Sequence, residues 1–224
     1  MPKSVMTKST CIQCSLAHFC LYNNKVGIKP QKRHLKRKET LHRSLDAFTN
    51  LYAIEQGALK TYQTDPAGNE LIQGLYLKNE VYGYEAIYTG HYLYSSSALT
   101  DTILCEISYP NFLELIRTEP ELLNRILYLM SQQLVTGSYL KSTTAQQKLS
   151  AFLLDLSSRL SKNELHREFI LPLSYQDIGN YLGLATETIS RILSQFRKNE
   201  MISIVNKQIH FLQLDELKRI ANHA

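Results

Sequence analysis

No stretch of about 18 or more apolar residues occurs in the chain, so no membrane-spanning helix is expected. The first ten residues, MPKSVMTKST, have no apolar core of the kind a secretory signal needs, and a cytoplasmic protein is expected. There is no glycine-rich phosphate loop, no dinucleotide fingerprint and no visible His/Asp/Ser constellation, so nothing points to an enzyme. Cysteine is scarce, with four in 224 residues. In a reducing compartment such thiols are metal ligands or buried hydrophobes rather than disulfides. Basic residues are missing from one long stretch, with no Lys or Arg between Lys78 and Arg117. What remains is 44% hydrophobic and 20% charged, the composition of a globular protein with a real core. The formal net charge of +5 permits an anionic partner without requiring one.

Residues 1–24 stand apart as a cysteine-rich segment holding Cys11, Cys14 and Cys20. Residues 25–43 carry eight Lys/Arg and one acid. That run is either a nucleic-acid-binding arm or the solvated face of following strands. From about 48 to 115 the chain reads as β, with short apolar runs separated by turn-like pieces such as Asp65-Pro66-Ala67-Gly68-Asn69. Spacing of this kind suggests a small antiparallel roll, assigned to 25–117.

A long helix is expected over 118–144. Thr118-Glu119-Pro120-Glu121 reads as a capping box with proline in the first turn. Leu123, Leu127, Met130, Leu134 and Gly137 form one stripe with heptad steps, beside a second stripe of Leu122, Ile126, Leu129, Thr136 and Leu140. One stripe can pack on the chain's own roll. The other needs a further partner, either a symmetric helix from a second copy or a second domain of the same chain. Another helix is expected near Ala145–Leu160, and 161–168 reads as a loop.

The last third, within 145–224, is the most informative. Ser174 to Asp177 caps a short helix ending near Leu182, Gly183 supplies a tight turn, and Thr186 opens a second helix reaching about Asn199. Two short helices about a glycine turn form a helix-turn-helix. The second helix has an apolar face of Ile189, Ile192, Leu193 and Phe196. Its polar face holds Glu187, Ser190, Arg191, Ser194 and Lys198. A carboxylate accepts from cytosine and an arginine forks onto guanine, so such residues suit base edges. Two apolar runs around Asn206-Lys207 then predict a hairpin wing. Charge adds little, with six Lys/Arg against five Asp/Glu from 174 to 224.

The stretch DIGNYLGLATETISRILSQFRKNEM, Asp177 to Met201, resembles the DNA-binding signature of the Crp/Fnr transcription regulators. The order of roll, long helix and winged helix is similar to that family over nearly the whole chain. The Cys-x2-Cys-x5-Cys start with Cys105 resembles the Fnr branch, the oxygen-sensing fumarate and nitrate reduction regulators. The resemblance implies an α+β fold, with a cyclic-nucleotide-binding-like roll, a dimerisation helix and a C-terminal winged helix-turn-helix. It implies a homodimer on a palindromic operator with TTGAT half-sites, read by Glu187, Ser190 and Arg191. It implies an oxygen-labile [4Fe–4S] cluster on Cys11, Cys14, Cys20 and Cys105, and RNA polymerase as a partner.

Three departures from the family stand out. The connection from Cys20 to the roll is short, the early turns in RKETLHRSLD lack glycine, and no acid occurs from Asn124 through Gln146. The Fnr branch has an aspartate opposing dimerisation where Gly137 stands here, so easier dimerisation without a cluster is expected.

The residues themselves leave rivals open. Strand alternation puts Ile103, Cys105 and Ile107 on one face, which also describes a buried core cysteine. Three clustered thiols need a fourth, and only Cys105 remains. Zinc, thiol oxidation or a small apolar ligand in the roll are the alternative signals. His18 is either a ligand or a solvent-facing spacer. A cyclic nucleotide is not expected, because Ser95-Ser96 stands where the family's cAMP-binding members place Arg-Ser, and bidentate arginine is what grips a phosphate.

Overall fold

The computed structural model describes residues 31–118, 120–136, 144–160 and 167–222. The chain divides into two compact units. One contains the described residues up to Gln63 with Gln73–Met130, and the other Thr64–Ile72 with the described residues from Ser131 onward.

Eight described strands precede the first long helix. They are β1 (Gln31–Leu35), β2 (Thr40–His42), β3 (Asn50–Gln56), β4 (Ala58–Thr64), β5 (Glu70–Leu77), β6 (Val81–Tyr82), β7 (Ser95–Ala98) and β8 (Thr102–Ser108). They form two four-stranded sheets, ordered β1-β8-β3-β6 and β2-β7-β4-β5. Pairing of β8 with both β1 and β3 is antiparallel, as in the expected roll. The Asp65–Asn69 turn forms as read. Asp65 Oδ1 accepts from the Ala67 and Asn69 N–H groups at 2.9 and 2.8 Å.

The strands begin inside the basic run. Lys32 pairs with Glu55, Arg33 with Glu106 and Lys36 with Asp101. These partners favour the solvated strand face over a nucleic-acid arm for the described part of that run. The missing glycines of RKETLHRSLD are also accounted for: Lys38 and Leu45, both with φ near 70°, take the left-handed conformation themselves.

The β reading to residue 115 overran. Helix α1 (Tyr109–Thr118) begins directly after β8. Phe112, Leu115 and Ile116 pack on the roll's outer core, and that tertiary packing wins over local strand propensity. Thr118, read as the cap of the next helix, closes α1. Its hydroxyl donates back to the Glu114 and Leu115 carbonyls. Helix α2 (Pro120–Thr136) follows, then α3 (Ala145–Leu160), which buries Leu149, Phe152, Leu153 and Leu156.

Strand β8 is buried on both faces. Leu104 faces the roll interior with Leu35, Ile54, Leu59 and Tyr82. Cys105 and Ile107 share a second core with Phe112 and Leu115 of α1 and Leu122, Ile126 and Leu129 of α2.

The interior is filled by rings. His42 stacks on Tyr92 at a centroid distance of 3.7 Å, and its Nε2 lies 2.6 Å from the Tyr82 hydroxyl. Tyr52 and Tyr76 pack on Tyr82 in turn. Burial lowers His42 from an ordinary 6.5 to about 4. Burial raises Glu85, in the turn after β6, from 4.5 to about 6.

These two groups act on stability with opposite sign. Between about pH 4 and 6.5, unfolding takes up a proton at His42, so falling pH weakens the fold. Between 4.5 and about 6, unfolding releases one from Glu85, so falling pH strengthens it. The two offset each other across the shared window. Glu85→Gln removes the offset. Urea unfolding of the variant is then expected to lose up to about 1.4 kcal/mol more per pH unit than wild type as pH falls through that window. Equal slopes in the two proteins contradict this assignment.

Candidate functional site

The second unit carries the polar face expected to meet nucleic acid. Helix α4 (Tyr175–Leu182) opens on Ser174, whose Oγ accepts from the Asp177 N–H at 3.1 Å. The Asp177 carboxylate accepts from the Ser174 N–H at 3.2 Å, completing a capping box. Gly183 ends α4 in the left-handed conformation, with φ 66°. Helix α5 (Thr186–Lys198) buries Ile189, Ile192, Leu193 and Phe196. Glu187, Ser190, Arg191, Ser194 and Lys198 are exposed on its other side. The structure thus brings Glu187, Ser190 and Arg191 to one solvent-facing surface at the N-terminal end of α5.

Several supports were not visible in the pattern. The Leu184 N–H donates to the Gly179 carbonyl at 2.9 Å, so the turn folds back onto α4. A Cβ on Gly179 would lie 2.5 Å from the Leu184 carbonyl oxygen. A glycine four residues before the turn glycine was the available signal. Lys148 Nζ of α3 donates to the Leu182 carbonyl at 3.4 Å, and Gln146 joins Gln195 of α5 at 3.0 Å. These contacts tie both helices of the motif to α3.

The wing forms around Asn206-Lys207. Strands β10 (Ile202–Val205) and β11 (Gln208–Phe211) pair antiparallel, and both turn residues have positive φ, as a two-residue turn of this hand requires. A third strand, β9 (Glu168–Ile170), pairs with β11, and its first residue falls in the stretch read as loop. Three residues are too short for a period to show. Helix α6 (Leu214–Asn222) closes the chain's described part, anchored by the buried Leu217.

The candidate thiol site lies in the other unit. Cys105 is 8% exposed, at the centre of β8 between Lys32 of β1 and Ala53 of β3. Its Sγ donates to Glu55 Oε2 at 3.9 Å. Cys11, Cys14 and Cys20 lie outside the described residues, as does His18. Among the described residues, no three His, Cys, Asp or Glu side chains come together to hold a metal ion.

Helix α2 separates its two stripes. Leu122, Ile126 and Leu129 are buried on the roll's outer core. Leu123, Leu127 and Leu134 are 42%, 54% and 81% exposed. Met130 is partly buried against the same core, so it sits at the border of the stripes. Gly137 lies outside the described residues. No described helix is long and apolar enough to cross a membrane.

Comparison with known proteins agrees with this layout. Residues 32–119 match the cyclic nucleotide-binding domain family, and residues 147–220 match the Crp-like helix-turn-helix domain family. The chain is 34% identical to the transcriptional activator protein anr of Pseudomonas aeruginosa, over 96% of this chain and 94% of that protein. It is 32% identical to the fumarate and nitrate reduction regulatory protein of Escherichia coli K12, over 95% and 90%. Among solved structures, FixK2 from Bradyrhizobium japonicum superposes with a TM-score of 0.77 at 22% identity, covering 88% of this chain and all of that one. The two domain matches and the near-full-length relatives show that the chain is a DNA-binding transcription regulator of the Crp/Fnr family, of the Fnr and Anr type.

Proposed function

We propose that the chain is a homodimeric regulator that controls anaerobic gene expression through an oxygen-labile [4Fe–4S] cluster on Cys11, Cys14, Cys20 and Cys105. The observation that carries this is a shared core: Cys105 packs with Leu122, Ile126 and Leu129, the buried stripe of the helix whose other stripe is exposed. A change at the sulfur therefore has a short mechanical route to the interface of Leu123, Leu127, Met130, Leu134 and Gly137. Protein interiors are close-packed and pass small displacements on.

The residues fit the cofactor's needs. Cys105 offers soft sulfur from a strand held on both sides. Gln31 opens β1, and its neighbour Lys32 is the Cα partner of Cys105. Residues 21–30 join Cys20 to that point, and an extended chain covers up to about 3.5 Å per residue. The short tether is thus long enough for Cys20 to reach Cys105. When bound, the cluster supplies iron–thiolate attachments that dioxygen can destroy, making order in the N-terminal segment conditional on oxygen.

On the same reading, segment 1–24 is sensory, 25–117 the roll, 118–144 the dimerisation helix and 145–224 the DNA-binding domain. Two copies of α5 enter successive major grooves about one helical turn apart. Glu187, Ser190 and Arg191 read TTGAT half-sites there. RNA polymerase is the second macromolecular partner, in keeping with the activator named among the relatives. On this reading cyclic nucleotide is not the effector: Ser95-Ser96 stands where the family's cAMP-binding members place Arg-Ser, and His42, Tyr52, Tyr76, Tyr82 and Tyr92 pack together inside the roll.

The test is anaerobic purification with absorbance, iron and sulfide analysis. About four irons and four sulfides per chain, lost in air together with operator binding, are expected. Iron-free protein that still binds its operator tightly overturns the sensing role, and zinc in iron's place favours a different signal. For the interface, Arg191→Ala is expected to cost about 1–3 kcal/mol of discrimination between operator and mutated half-sites. Unchanged selectivity removes Arg191 from the reading set.

A further inference from the structure

We infer that the Lys32–Glu55 ion pair is a positioning device for Cys105, setting the charge beside the sulfur where the cluster attaches. The inference rests on the cluster reading above. Strand β3 carries a β-bulge at Glu55. Ile54 and Gln56 of β3 pair with the consecutive residues Leu104 and Ile103 of β8, leaving Glu55 as the extra residue between them. A bulge re-aims a side chain, and this one puts a carboxylate 3.9 Å from the Cys105 sulfur.

That carboxylate is held from the other side. Lys32 Nζ lies 2.8 Å from Glu55 Oε2 and 2.9 Å from Oε1. Register brings the lysine there, because Lys32 is the direct cross-strand partner of Cys105. Side-chain exposure is 27% for Lys32 and 7% for Glu55, so the carboxylate has little water to screen it. A bare carboxylate at this distance repels an anionic sulfur, and the ammonium cancels that repulsion. Packing alone does not call for this arrangement, since apolar side chains fill such a place equally well. Outer partners of this kind set ligand orientation, and net charge near the sulfurs sets a cluster's potential.

The two charges therefore have opposite effects. Glu55→Gln leaves the lysine's positive charge beside the sulfur. Lys32→Met leaves the carboxylate's negative charge there. The experiment is anaerobic cluster reconstitution of the full chain, reading iron and sulfide per chain, the rate of absorbance loss in air, and the reduction potential. Lys32→Met is expected to lose its cluster roughly 10-fold to 100-fold faster than wild type and to shift its potential downward. Glu55→Gln is expected to keep its cluster and to shift upward. Lys32→Arg, which keeps the charge, is expected to behave as wild type. Thermal unfolding of each protein checks the fold, and if Lys32→Met does not fold, Glu55→Gln and Lys32→Arg decide.

Variants of a cluster-containing wild type that all match it overturn the inference and leave the cluster reading intact. Potentials that shift the same way in both charge variants also overturn it, assigning the pair to fold stability. Wild-type protein without iron or sulfide overturns the cluster reading, and this inference with it.

Discussion

Leu127→Lys is expected to turn the proposed dimer into a monomer and to weaken operator binding by about 100-fold or more, the usual scale for losing a linked second half-site. Leu127 is 54% exposed on α2 and stands between Leu123 and Leu134, both also exposed. Its replacement takes little from the chain's own core, which holds Leu122, Ile126 and Leu129 instead. In a two-fold interface the same patch comes from both copies, so one substitution introduces two like charges. Each loses its water on association without an opposite charge supplied by this segment, since no acid occurs from Asn124 through Gln146. Sedimentation velocity reads the oligomer, and anisotropy with a palindromic duplex reads the affinity. A variant that remains dimeric removes this stripe from the interface. On the proposed cluster reading, the absence of an acid also predicts that wild-type protein prepared without iron still associates measurably.

Gly179→Ala is expected to abolish operator binding while leaving the oligomer unchanged. The added Cβ meets the Leu184 carbonyl oxygen at 2.5 Å, well inside contact distance. That oxygen is main chain, and the Leu184 N–H is bonded to Gly179 itself, so neither side yields cheaply. Overpacking of this kind costs about 1–3 kcal/mol, and here the strain falls on the turn that orients α5. Gly183→Ala is the control. Its φ of 66° favours glycine, but a Cβ there meets nothing within 4 Å, so a cost of roughly 1 kcal/mol and residual binding are expected. Urea unfolding and duplex binding compare the two. Equal effects at both glycines contradict a special role for the close approach.

Much of the DNA-binding unit was legible because its signals are local. A serine three residues before an aspartate caps a helix, a glycine takes a left-handed turn, and Asn206-Lys207 closes a hairpin within four residues. The alternation around Cys105 was legible for the same reason. Helix α1 and strand β9 were not. Both depend on what packs over them, Phe112 and Leu115 on the roll's outer core and β9 on β11. Local propensity does not report a distant neighbour.

By itself, the sequence determined the order of roll, long helix and winged helix, the polar face of α5, and the two stripes of α2. These follow from backbone periodicity and short-range capping, which need no tertiary information. Only the tertiary structure decided which stripe turns inward, because that depends on the shape of the roll beneath it. Only it showed that β8 is buried on both faces, that Lys32, Arg33 and Lys36 of the early basic run pair with acids, and that Glu55 reaches Cys105 from a bulge. Strand register sets those meetings, and register is fixed by long-range pairing across some seventy residues of chain, from β1 to β8.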